Sequence, residues 1–482
     1  MTTDLKRGVL PEEVALSLVP GVSIVEEGGA TLLLTAFGRF HLPQLSDGLR
    51  QALRALGEGP GATEQQLAAI LERAGEEESS ALLFFFLHHF EQQGILARTI
   101  LDDGKPLITS VPASRDHGLE LPQLSREHTY VLSRFAYLHC EESHLVLESP
   151  CALAKLVIHD ERVALLIHSL ASPRKIDEDL ARVAGLPVSA ACTIGRLLLG
   201  CSVLIDDADQ LAEVTDPVLA PWSFHDLLFH SRSRLGRHSQ PKGKTYPFLG
   251  KTAPFPAVKP GGTDRPRVSL YRPDLEALMA KDSALTKVLE ERRSIREHGE
   301  RALSVEQLGE FLFRVARVRS RSESPLVHYE TTSRPYPGGG ACYELELYVT
   351  ANACEGLASG LYAYEPELHE LHQVSPRTAE VERLLFDAAF AAGSQLPQVL
   401  ISIAARFQRV SWSYEGIAYS VILKNVGVLY QTMYLVATAM GLAPCALGRG
   451  DSDLFVRAAG TQYLAESSVG EFMLGTISSS TE

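Results

Sequence analysis

The sequence predicts an α+β protein in which two similar helix-rich modules precede one larger unit of alternating helices and strands. Three observations predict it. Two stretches of the first half share one pattern, a segment rich in Pro, Gly, Lys and Arg interrupts the chain after residue 216, and helical and two-residue apolar periods take turns from about Tyr271 onward. At roughly 150 residues per domain, a chain of 482 residues holds two to four domains. The boundaries read as 1–105, 125–215, a linker arm over 216–265, and 266–482.

The repeated pattern runs from Leu49 to Ile100 and again from Arg162 to Asp206. Each copy has an apolar helix, a break containing proline, a short amphipathic helix, and a longer helix ending in a strand-like tail, GILA or CSVLI. Thr63 with Gln66 three residues on has the form of a capping box. Extended segments, TLLLTAFGRFHL and SHLVLES, precede the two copies and suit strands. This three-helix-plus-wing layout is that of a winged helix, present twice. In the arm, His225 and His230 lack a third partner at a ligand spacing and read as exposed or packing histidines, so no metal site is expected.

The C-terminal unit opens with a helix around Asp282–Arg292. Ser304 then caps a helix with apolar residues at Leu308, Phe311, Leu312 and Val315. The glycine turn in RPYPGGGACYELELYVTANA feeds a strand over Tyr343–Thr350, and GLYAYEPELHELHQV reads as a hairpin. A helix over Val381–Ala392, the strand PQVLISIAARF, a long helix and the strand VGEFMLGTIS follow. The long helix carries Ile422, Val426, Leu429, Met433, Val436 and Met440 at helical spacing, the mark of a core helix.

Composition excludes several classes. Lys and Arg number 45 against 59 Asp and Glu, a net charge of −14, which argues against coating nucleic acid or an anionic membrane by bulk charge. The longest strongly apolar run, Ala81–Leu87, is far short of the ~18 residues of a membrane span. The opening MTTDLKRGVLPEEV lacks an apolar signal core, so a cytoplasmic protein is expected. Seven scattered cysteines without a C-x-x-C pair suggest neither a disulfide framework nor structural zinc.

Three motifs carry chemistry. Arg292-Arg293-Ser294-Ile295-Arg296 gathers guanidinium forks that match phosphate geometry, although by itself it reads sooner as a solvated charge run. Pro337-Gly338-Gly339-Gly340 lets backbone approach a flat ligand, or simply turns before a strand. Leu447-Gly448-Arg449-Gly450 again pairs glycine with arginine.

In this order and spacing the three resemble the FMN-binding elements of the nitroreductase-like flavoproteins. Along Ser411–Gly475 the chain looks like the SagB-type azoline dehydrogenases, most closely the cyanobactin thiazoline/oxazoline oxidases, and SFHDLLFHSRSRLG (Ser223–Gly236) is similar to a segment such chains carry before their flavin domain. The N-terminal half matches only in its tandem winged-helix layout. The resemblance implies an oxidase that binds FMN at a homodimer interface and converts thiazolines or oxazolines of a heterocyclised precursor peptide to azoles. The winged helices would handle its leader. It further implies that Arg292, Arg293 and Ser294 hold the FMN phosphate and ribityl chain, with Arg296 nearer the ring. Pro337, Gly338 and Gly339 would run beside the ring, and Leu447, Gly448 and Arg449 would form a second phosphate-side element. Related enzymes place a Lys-Tyr pair where this chain has Ser413-Tyr414, so Tyr414 is the retained catalytic candidate.

Aromatising an azoline removes two electrons and two protons, so the protein must orient the substrate and provide a proton acceptor. A tyrosine of pKa near ~10 is a poor base unless a cation lowers it. Either another base serves, with Lys424 or a histidine conceivable, or Tyr414 only positions substrate. A nicotinamide-driven nitroreductase is the alternative enzyme. A winged-helix DNA-binding regulator is the alternative from another class, favoured only by the basic stretch Arg232–Lys251 and opposed by the net charge of −14.

Overall fold

The computed structural model describes residues 10–478 apart from 12, 29, 36–37, 43–44, 115–120, 239–240, 261–264 and 324–326. It divides into two units, Met1–Gln240 and Pro241–Glu482. Among the described residues no single helix is long and apolar enough to cross a membrane.

In the first unit both copies of the pattern fold as helices. Strand β1 (Val14–Leu18) precedes α1 (Asp47–Ala55), α2 (Glu64–Ala74) and α3 (Ser80–Gln92), and the wing follows as the hairpin β2 (Leu96–Asp102) and β3 (Lys105–Pro112). Thr63 starts α2 through the expected box, its Oγ1 accepting from Gln66 N at 3.2 Å while Gln66 Oε1 accepts from Thr63 N at 2.9 Å. Leu49, Leu53, Leu67, Leu71, Leu87 and Phe90 close the core of this copy.

The second copy begins with β4 (Tyr137–Glu141), β5 (His144–Glu148) and β6 (Ala154–Ile158) and continues as α4 (Glu161–Ser169), α5 (Glu178–Ala184) and α6 (Val188–Gly200). Strands of the two copies meet through β3 and β6, from Pro112↔Ala154 to Ile108↔Ile158, and so share one antiparallel sheet. Two details differ from expectation. TLLLTAFGRFHL is two strands, Ala30–Thr35 and Gly38–His41, rather than one. Among the described residues the second copy has no wing hairpin: its tail Leu204–Asp206 pairs with Tyr130–Leu132 and Asp206 then caps a helix by accepting from Ala208 N.

The arm divides between the units. Its first part forms α7 (Phe224–Arg232), capped by Ser223, and Arg232 pairs with the buried Glu148 at 2.6 Å while donating to Tyr137 Oη at 2.7 Å. Within α7, His230 stacks on Trp222 and His225 meets Phe224 edge-on. The second part packs on the C-terminal unit. Residues 239–240 and 261–264 lie outside the described residues.

The second unit is built on a seven-stranded sheet whose strands pair antiparallel, in the order Arg267–Ser269, β9 (Glu370–Pro376), β8 (Gly360–Glu365), β7 (Leu345–Ala351), β10 (Val399–Arg406), β12 (Glu466–Thr476) and β11 (Leu442–Leu447). Helices α8 (Leu285–Glu291), α9 (Val305–Ala316), α10 (Ala379–Ala392), α11 (Ala418–Ala439) and α12 (Ser452–Ala459) accompany it. The expected core stripe of α11 is buried at Ile422, Val426, Leu429 and Met433, and Phe472 of β12 packs against Phe311 and Tyr434 beneath it. Strand β11 was not visible in the sequence because Pro444 interrupts it. At a sheet edge the missing N–H costs no ladder bond, and the Pro444 carbonyl accepts instead from Ile295 N at 2.8 Å.

Candidate functional site

The arginine motif begins at the C-terminal residue cap of α8. Ser294 Oγ shares a 2.7 Å hydrogen bond with Tyr434 Oη of α11, and that hydroxyl accepts from Ala446 N of β11 at 2.8 Å. With the Ile295–Pro444 bond, and Ser394 Oγ donating to Arg296 O at 2.8 Å, the loop is strapped down by its backbone and serine while its guanidiniums stay exposed. Arg292 lies 5.5 Å from the Tyr434 ring centre. Leu447 ends β11 as a buried anchor, and Gly448 and Arg449 follow it into solvent, Arg449 lying 5.2 Å from the ring centre of Phe390. Arg449 borders a cleft of about 410 Å³ with Arg383, Asp387 and Asp451. Strand β11 thus links the first and third motifs. Among the described residues, Arg292, Arg296 and Arg449 have no carboxylate partner.

Glu471 lies across the sheet from Leu447, and burial pushes its carboxyl up to about 7. A Cβ on Gly450 would sit 2.2 Å from this carboxylate, so any larger residue there would have to displace the Glu471 side chain. The folded state binds the proton more tightly than the unfolded chain, whose carboxyl stays near 4.5, so stability falls as pH rises from about 4.5 through 7. Glu471→Gln is therefore expected to raise the melting temperature at pH 8 by several degrees, for a gain of about 2–3 kcal/mol, and to change little at pH 4.5. His298 slopes the other way. Burial pushes its imidazole down to about 4, so its contribution is present above 6.5 and is lost as pH falls toward 4. Thermal unfolding of wild type and Glu471→Gln across pH 4–9 checks the Glu471 sign, and identical curves would contradict it.

The glycine motif is held from beneath. Gly339 N donates to Asn425 Oδ1 at 3.0 Å, and Asn425 Nδ2 donates to Glu344 Oε1 at 2.9 Å. Glu344 is fully buried, which raises its carboxyl pKa. A Cβ on Gly339 would stand 2.6 Å from Val421, and one on Gly340, whose φ is +63°, 2.6 Å from Tyr414 Oη. The close approach these glycines permit is therefore to the chain's own helix and to Tyr414. Pro337 is exposed, and Gly338 is half-buried against Tyr343.

Asn425 and Tyr434 both belong to α11, nine residues apart. At ~1.5 Å and ~100° per residue they are separated by about 13 Å and about half a turn, on opposite flanks of the buried stripe. The glycine loop is thus held from one flank of α11 and the arginine loop from the other.

Tyr414 is half-buried behind the glycine loop, and burial raises its pKa. Ser413 beside it is buried, and Lys424 is exposed on α11. Sequence reasoning missed the groups that pack this corner. Arg409 is buried and donates to the carbonyls of Cys342 (2.7 and 3.0 Å), Phe255 (2.8 Å) and Glu330 (3.1 Å). Lys244 reaches in from the arm. Asn425 could have been suspected as a polar residue beside an apolar helical stripe, and Glu344 as an acid in an apolar strand. Nothing local marks Lys244 or Arg409.

Comparison with known proteins follows the same division. Residues 11–121 match the ThcOx helix turn helix domain, residues 130–239 the cyanobactin oxidase ThcOx, and residues 289–476 the nitroreductase family. A nitroreductase of Methanocaldococcus jannaschii is 31% identical over 186 residues, 38% of this chain and 84% of the relative. The chain belongs to the nitroreductase family. It is an oxidoreductase family, and here helix-turn-helix modules precede its domain, so the resemblance read from the sequence holds in all three segments. Solved structures similar to the chain include a nitroreductase from Anabaena variabilis (22% identity, TM-score 0.36, 51% of this chain but only 45% of that one). The E. coli microcin synthetase McbBCD complex with truncated pro-MccB17 bound is also similar (20% identity, TM-score 0.34, 56% and 94%). A nitroreductase in complex with FMN from Desulfovibrio desulfuricans is a third (14% identity, TM-score 0.26, 40% and 86%).

Proposed function

We propose that this nitroreductase-family protein is an FMN-dependent oxidase that converts thiazolines or oxazolines of a ribosomally made, heterocyclised peptide to azoles. The observation that carries the reading is the set of exposed guanidiniums without carboxylate partners, Arg292, Arg296 and Arg449, gathered along β11 in an acidic chain whose N-terminal half matches the cyanobactin oxidase. Such donors fit a phosphate-bearing cofactor. Arg292, Arg293 and Ser294 hold its phosphate and ribityl chain, and Arg296 lies nearer the ring. Pro337, Gly338 and Gly339 flank the ring, and Leu447, Gly448 and Arg449 complete the phosphate side. FMN, when bound, provides a two-electron acceptor. The chain's own residues bind and orient the peptide and take its proton, Tyr414 being the group beside the glycine loop.

The protein works as a homodimer. Its arginine and glycine loops occupy opposite flanks of α11, so a second copy completes each site. The apolar side chains of Met279 (76% exposed) and Phe390 (74% exposed) suit burial against that copy. The precursor peptide reaches the winged-helix unit by adding its leader as a strand to a sheet edge. Incubation with a thiazoline-containing peptide tests the reading: the product is expected about two mass units lighter, and an unchanged mass would contradict it.

A further inference from the structure

The backbone of the glycine loop spends most of its hydrogen bonds on the chain itself. Gly338 O accepts from Ala341 N at 3.1 Å, Gly339 O from Cys342 N at 3.3 Å and Gly340 O from Tyr329 Oη at 2.7 Å, while Gly339 N donates to Asn425 Oδ1 at 3.0 Å. Among the described residues this leaves the N–H groups of Gly338 and Gly340 without a partner. Ordered backbone donors that are not spent internally are available to a ligand with acceptor atoms along its edge.

The loop does not hold this shape unaided. Its backbone turns left-handed at Gly340 (φ +63°), Ala341 (φ +54°) and Tyr343 (φ +46°), and a residue with a Cβ rarely adopts that conformation unless its surroundings impose it. From α11 the buried Asn425 side chain reaches the loop's backbone, and its amide has one orientation that serves both neighbours. Gly339 N–H requires the oxygen, so Nδ2 is turned to Glu344 Oε1, 2.9 Å away. Glu344 is fully buried, its Oε2 has no partner among the described residues, and burial favours its neutral acid form over the pull of Arg334 and Arg409.

We propose that Asn425 is a positioning residue, itself oriented by Glu344, which holds the glycine loop in the form that offers the Gly338 and Gly340 amides to the flavin ring and so raises the reduction potential of the bound flavin. The proposal rests on the FMN-dependent reading above. Reduction places negative charge on the ring, and N–H dipoles fixed beforehand stabilise that charge without reorganising. Asn425 acts through the loop and exchanges no atoms or electrons with flavin or peptide.

Asn425→Leu, Glu344→Leu and Glu344→Gln, made in the full chain loaded with FMN, test this by the potential of the bound flavin. Asn425→Leu is expected to retain flavin, since the arginines are untouched, while its reduced form is disfavoured at least tenfold, a fall of about 30 mV for two electrons. The kcat for azole formation should fall with the potential at little changed KM. Glu344→Leu, which leaves the Asn425 amide without its anchor, should lower the potential in the same direction, and Glu344→Gln, which keeps the acceptor, should restore most of it. A wild-type potential in flavin-loaded Asn425→Leu, or in Glu344→Leu where Asn425→Leu does not fold, overturns the proposal and leaves the azoline reading intact. A lowered potential in these variants of a protein that forms no azole from a thiazoline peptide overturns that reading and supports the role of Asn425.

Discussion

Arg292→Ala combined with Arg449→Ala is expected to strip the protein of FMN while leaving it folded. Charge-assisted hydrogen bonds to phosphate are worth about 1.5–3 kcal/mol each, so losing two weakens the cofactor by roughly two to four decades in Kd. Folding should survive, because both guanidiniums are exposed and their recorded contacts are the ring faces of Tyr434 and Phe390. Lysine at either position keeps the charge but loses the fork, and an intermediate affinity is expected. The ratio of flavin to protein absorbance reads the result, with circular dichroism as the folding control. Wild-type flavin content in a folded double variant would remove the arginines from the cofactor's neighbourhood.

Arg409→Met should act on the fold itself. The guanidinium is 2% exposed, and its removal leaves the carbonyls of Cys342, Phe255 and Glu330 without their donor. Each orphaned acceptor costs about 1–3 kcal/mol, partly offset because a charge no longer has to be desolvated, for a net loss of roughly 3–5 kcal/mol. Melting should fall by about 10 °C, with hydrogen exchange rising first along 252–257 of the arm, where Arg409 holds Phe255 and Trp412 Nε1 donates to Thr252 O at 2.7 Å. The same loss would loosen the lining around Tyr414, since the Arg409 guanidinium also stands 5.3 Å from the Tyr329 ring centre. An unchanged melting temperature would mean that these bonds contribute nothing net.

What could be read in the sequence was what local chemistry decides. Thr63 with Gln66 and Ser304 with Gln307 start their helices as their side chains dictate, and the stripe from Ile422 to Met433 faces the core its spacing requires. The arginine and glycine motifs each had an ordinary reading, and only their order and spacing together suggested a shared role. What escaped depends on partners far along the chain. Pro444 looks like a break until the edge position of β11 is known, and the arm looks like a linker until Arg406 and Arg409, some 150 residues away, are seen gripping its carbonyls. Lys244 belongs with Tyr414 only because a bridge closes between Gly243 and Glu415. Likewise the separation of the two loops on α11 emerges only once Asn425 and Tyr434 are seen to hold them from opposite flanks.

The most direct test of the central claim is a single turnover of the FMN-loaded protein with a peptide carrying one thiazoline, followed by mass spectrometry and by flavin absorbance without oxygen. The account predicts a peptide lighter by about two mass units and bleaching of one flavin for each azole formed. A peptide of unchanged mass beside fully oxidised flavin, in a protein that reduces small electrophiles with a nicotinamide, would contradict it.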